Sequence, residues 1–213
     1  MTKATAHNSS LKNTTHKVVV PFYMYAALAL LAGTIMLFFA TNAFHGHYFH
    51  PQILAITHTM ALGWGTMMIL GASHQLVPVL IESELYSTSL AYVSFFLAAA
   101  GIPMLVYGFY HFRFNWITIS GGVLINLALV SFLVNIAVSI SKAKKENVHA
   151  IFIFTATSWL LITTLLGLLL VINFTHPIFN QDSLEYLSLH AHMGIAGWFL
   201  LLVMGVGTRL IPM

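Results

Sequence analysis

Twelve histidines stand against only five acidic residues in this chain. A neutral imidazole offers a nitrogen lone pair near physiological pH and is a common ligand for metals and for haem iron. Three groups of histidines have positions that suggest chemistry. His58 lies well inside an apolar stretch. His190 and His192 form a His-x-His near the start of another. His45, His47 and His50 crowd a short polar segment, His-Gly-His-Tyr-Phe-His-Pro, where three imidazoles could hold copper or zinc or could simply form a polar loop. An ionisable side chain inside a membrane segment marks a functional site by default, the ordinary alternative being a packing imidazole bonded to a hydroxyl or carbonyl. Residues two apart on a helix point about 200° apart. His190 and His192 therefore suit two sites on opposite sides of one helix, or His190 merely caps its outer end. His74 reads as an interfacial histidine beside Gln75 rather than as a ligand or proton relay.

These side chains need a lipid-embedded scaffold. The chain is 59% hydrophobic and 6% charged over 213 residues, far below the roughly 25% charge of soluble domains. It lacks cysteine, which excludes disulfides, iron–sulfur clusters and cysteine-type zinc sites. A net charge of +3, spread over loops, gives no basis for nucleic-acid binding. The expected fold is all-α: a polytopic membrane bundle of six transmembrane helices. Apolar stretches near the ~20 residues needed to cross a bilayer place spans at 18–41, 52–81, 86–110, 114–141, 149–173 and 184–211. Residues 1–17 read as a cytoplasmic tail, and 18–213 as one transmembrane domain, whole or part of a longer protein. Lys3, Lys12, Lys17, Lys142, Lys144, Lys145 and Arg209 fall on one side of the alternating spans, and only Arg113 on the other. The positive-inside rule makes the first side cytoplasmic, with both termini there.

The chain also matches itself at an offset of 134 residues. His58, Gly63, Trp64, Gly71, Leu76 and Pro78 recur as His192, Gly197, Trp198, Gly205, Leu210 and Pro212, six identities in 22 ungapped positions. Gly33 pairs with Gly167 in the preceding spans. Spans two and six then run parallel, with His58 and His192 both roughly 9–12 Å below the outer helix ends at ~1.5 Å per residue. Two imidazoles at one depth on parallel helices could clamp one iron. Trp64 and Trp198 are expected to pack between helices.

His-x5-Trp followed by Gly and Leu-x-Pro, together with the later His-x-His, resembles the membrane subunit of the haem–copper oxidase superfamily, closest to its divergent oxidase-subunit-I-like and NnrS-like bacterial members. The resemblance covers spans two and six. It implies a low-spin haem held by His58 and His192, with His190 on a second haem. It further implies a role in respiratory electron transfer or in oxygen and nitric oxide handling. A bacterial plasma membrane, respiratory subunits or a cytochrome donor as partners, and oxidoreductase chemistry would follow. The superfamily's copper-site histidines have no counterpart in spans three to five, so copper is not implied by these residues. A different class, a transporter or metal carrier, would use the His-rich outer loop.

Overall fold

The computed structural model describes residues 16–143 and 147–211, with backbone alone at 209 and 210. Lys3, Lys12, Lys144, Lys145 and Pro212 lie outside the described residues. The described chain is helical, with no strand, and six of its helices are long and apolar enough to cross a membrane. They are α1 (His16–Phe39), α2 (Pro51–Leu80), α3 (Thr88–Tyr110), α4 (Trp116–Ser141), α5 (Val148–Asn173) and α6 (Ser183–Thr208). The protein is an integral membrane protein of the all-α class. Each expected span is found, with ends displaced by a few residues. The largest change in meaning is at α1, which starts at His16 and takes Lys17 into its first turn.

The helix starts follow from local chemistry. The first turn of a helix has amide N–H groups without helical acceptors, and a side-chain oxygen or nitrogen at the N-cap satisfies them. Ser87 caps α3 through the Leu90 amide, Asn115 caps α4 through Ile117 and Thr118, and Asn147 caps α5 through His149. At α2 the cap is an imidazole: His50 Nδ1 accepts from the Gln52 amide at 3.3 Å, with Pro51 at the first helical position. His50 thus has a structural duty.

Neighbours in sequence pack as neighbours in space, α1 on α2, α2 on α3, and so on to α5 on α6. The tightest contact joins α3 and α4. A Cβ on Gly101 would stand 2.7 Å from the Gly121 carbonyl oxygen, so only glycine lets these backbones meet. Polar side chains tie the bundle where lipid offers no partner. Asn135 of α4 accepts from the Ser87 amide at 3.0 Å and donates to its carbonyl at 2.9 Å. Asn126 of α4 accepts from Thr164 of α5 at 2.9 Å. Asn147 donates to the Leu80 carbonyl, joining the end of α2 to the start of α5.

The repeat is visible in the backbone. Helix α2 carries a π-helical segment at Thr59–Thr66, and α6 carries one at Met193–Leu200. The two are again 134 residues apart, and each begins directly after its histidine. The helix-facing glycines correspond too. Gly63 sits against Ala29 of α1, and Gly197 against Trp159 of α5; Gly71 sits against Phe22, and Gly205 against Phe152. Hairpins α1–α2 and α5–α6 are therefore versions of one unit. They differ in surroundings. The α2 unit is covered by α3, whereas α6 leaves Ile195 and Phe199 at least half exposed. Trp198 packs against the core, but Trp64 is 41% exposed, so only one of the two tryptophans fills the expected place.

Candidate functional site

His58 ends the first α-helical stretch of α2. Its Nδ1 lies 2.8 Å from the Leu54 carbonyl one turn earlier. A carbonyl can only accept, so Nδ1 carries the proton and Nε2 keeps its lone pair. This orienting bond fixes both tautomer and ring plane, as it does for many metal-bound histidines. His192 repeats the arrangement, its Nδ1 standing 2.7 Å from the Ser188 carbonyl. The two histidines have the same role in their helices and present the same free nitrogen.

They do not meet. The ring facing His58 is that of His190, with centroids 6.4 Å apart and planes 16° from parallel. His192 is exposed on the surface of α6. The expectation paired His58 with His192; in this structure the ring beside His58 is that of His190. The reason is the packing of α6 on α5. A Cβ on Gly167 would stand 2.9 Å from His190 Cε1, so the bare glycine backbone is the seat of that imidazole. With His190 turned inward, His192, about 200° away, must face out. The two rings point to different sides of α6, but only the inner one has a partner ring.

The His190 ring lies beside the Thr163 backbone of α5, and its Nδ1 is buried with no hydrogen-bond partner. Buried polar atoms are nearly always satisfied, so this one calls for a further group. His58 and His190 line one cavity of about 40 Å³, walled by Phe109, Phe114, Phe174 and Leu187. Phe109 packs on His58 at 4.6 Å between ring centres, and Phe114 stacks on Phe174 at 4.2 Å. The polar residues of its lining are the two histidines and Ser183; the rest is apolar. Two imidazoles bound to one ion through metal–nitrogen bonds of ~2.0 Å put their ring centres roughly 6 Å apart. The observed centroid separation of 6.4 Å is of that size, with the two rings stacked nearly parallel.

The other histidines take different places. His74 is fully buried, its Nδ1 2.7 Å from the Leu70 carbonyl and its ring 5.2 Å from Phe22 and 5.1 Å from Phe132. It is a core residue of the bundle, not the interfacial one expected, because closeness to a helix end says nothing about lateral cover. In the loop between α1 and α2, His47 Nδ1 accepts from the Phe49 amide, and His50 caps α2. Among the described residues no three histidine, aspartate or glutamate side chains converge on a metal position. The His-rich loop therefore shapes the entry to α2. Sequence reasoning gave no role to Gly167, Thr163 or Phe109. Gly167 alone left a signal, through its pairing with Gly33 in the repeat.

The chain matches no family model, and no solved structure matches it.

Proposed function

We propose that this is a metal-centred membrane protein, acting in one-electron transfer or in the handling of a diatomic gas, with His58 and His190 as the ligand pair. One observation carries the reading: two imidazoles from separate helices line one small gap, His58 oriented by the Leu54 carbonyl and His190 with a buried nitrogen left without a partner. Imidazole suits copper, zinc and iron. Monovalent copper accepts two nitrogen donors, one of which each helix could supply.

The resemblance to oxidase subunit I implies haem at this position. The donor set suits haem iron, as bis-histidine ligation does generally. The room does not. Ligand pockets for organic groups measure roughly 300–1,000 Å³, and the gap here is about 40 Å³. A macrocycle between these rings would displace Leu187 and Phe174. An ion held directly is the group that fits. On this reading the chain sits in a bacterial plasma membrane with both termini cytoplasmic, and exchanges electrons with respiratory subunits or a cytochrome.

The test is metal loading of purified protein with Cu(I) under reducing conditions, alongside visible absorption of the protein as isolated. The expected result is one ion per chain. It should be lost in both His58→Ala and His190→Ala, and kept in His192→Ala. Failure to load, or loading indifferent to both His58 and His190, overturns the reading and leaves a bridging water as the content of the gap. A low-spin haem spectrum lost in His58→Ala and His192→Ala but kept in His190→Ala would restore the pair read from the sequence.

A further inference from the structure

A second recess lies on the other side of α3 from His58. It is a cleft of about 490 Å³ between the outer halves of α1 and α3 and the first turn of α2. Its volume falls within the range of small-molecule sites. Much of the lining is apolar, with Ile35, Met36, Phe39 and Val106. It also gathers four neutral hydrogen-bonding groups: the Gln52 amide, the Tyr107 and Tyr110 phenols, and the His111 imidazole. Among the described residues, none of these side chains engages its polar atoms with another protein group, although the aromatic rings order one another. Tyr107 lies 4.5 Å from His111, and Tyr110 lies 5.4 Å from it. Pro103 also borders the cleft. Proline has no N–H, so the Ala99 carbonyl one turn earlier loses its helical donor.

Charge selects the occupant. No lysine or arginine lines the cleft, so nothing there would hold a phosphate. A neutral ring bearing carbonyl or hydroxyl groups matches the phenols, the amide and the imidazole, and a hydrocarbon tail matches the apolar lining. Tyrosines at a membrane interface need no ligand to explain them. An aromatic belt does not, however, account for a recess where an amide and an imidazole join two phenols. We propose that this cleft binds a lipid-soluble, neutral ring-headed amphiphile of the quinone class, with its head toward Gln52 and Tyr107 and its tail along Ile35 and Val106. The inference is independent of the metal reading, because no group of the cleft belongs to the His58–His190 pair.

The experiment uses the full chain in phosphatidylcholine nanodiscs and a decyl-tailed benzoquinone carrying a photoreactive azide. The expected outcome is saturable labelling near one molecule per chain, mapped to segments 35–39 and 103–111. Labelling should be displaced by the unmodified benzoquinone and unaffected by a plain decyl hydrocarbon. Gln52→Leu and Tyr107→Phe should each weaken binding about tenfold, the scale of one lost hydrogen bond to a well-placed polar group. Val106→Trp should fill the cleft and abolish binding, and His58→Ala should leave it unchanged. Labelling that never saturates, that the decyl hydrocarbon displaces as well as the quinone does, or that persists in Val106→Trp protein overturns the proposal. So does displacement by added phosphatidylglycerol, which would make the cleft a phospholipid site. The hydrocarbon and quinone competitions use the unaltered chain, so they decide the matter even where a variant fails to fold.

Discussion

The Cε1 atom of His190 stands 2.9 Å from the point where a Cβ on residue 167 would lie. The absence of a side chain on α5 at that level is what lets an imidazole of α6 lie flat in the bundle and face His58. Gly167→Ala should push the ring away from His58 while leaving α5 helical. Cu(I) affinity should fall by about tenfold or more, the range seen when an orienting contact of a ligand is lost. Helical content by circular dichroism should not change. Unchanged affinity would mean that Gly167 does not seat the ligand.

Asn135 and Ser87 hold α4 to the start of α3 through two hydrogen bonds in a place with no exposure at Asn135. Asn135→Leu removes both and strands the amide and carbonyl of Ser87. Leaving buried polar groups unpaired costs about 1–3 kcal/mol. The variant should unfold at lower temperature in detergent, with metal loading at His58 and His190 retained. A melting temperature equal to that of the parent would show that water or another donor already serves Ser87.

The positive-inside rule predicts the residue 142–147 connection inside and the residue 174–182 connection outside. Reporter fusions after Lys145 and after Asp182 should therefore give opposite signals, cytoplasmic at the first and external at the second. The metal pair and the amphiphile cleft would then both lie in the outer half of the membrane. Reversed signals would move both to the cytoplasmic half without altering their geometry.

Much of this architecture was legible in the residues. Six apolar stretches separated by Asn, Ser and Pro fixed the number and approximate ends of the helices, because the bilayer sets a length and the caps set the starts. The repeat was legible at His58 and His192, and the backbone repeats with it. The partner of His58 was not. Depth along a helix follows from counting residues, but the direction in which a ring points depends on how the helix is rotated about its axis. For α6 that rotation is set by contacts with α5, above all at Gly167, and no pattern within α6 encodes them. His74 shows the same limit. Its position near a helix end was read as interfacial, while Phe22 and Phe132, from distant parts of the chain, close around it.

The π-helical segments after His58 and His192 also bear on how chain length can change. A π turn accommodates a residue more than an α turn does over nearly the same rise. Deleting one residue within Thr59–Thr66 could therefore be absorbed by reversion to α-helix, with the stretches above and below keeping their facing. The same deletion in Met67–Leu80 would rotate everything on one side of it by about 100°, taking His74 off Phe22 and Phe132 or forcing α2 to repack. Each hairpin thus has one address where an insertion or deletion can be taken up locally, and that address lies directly beneath its histidine.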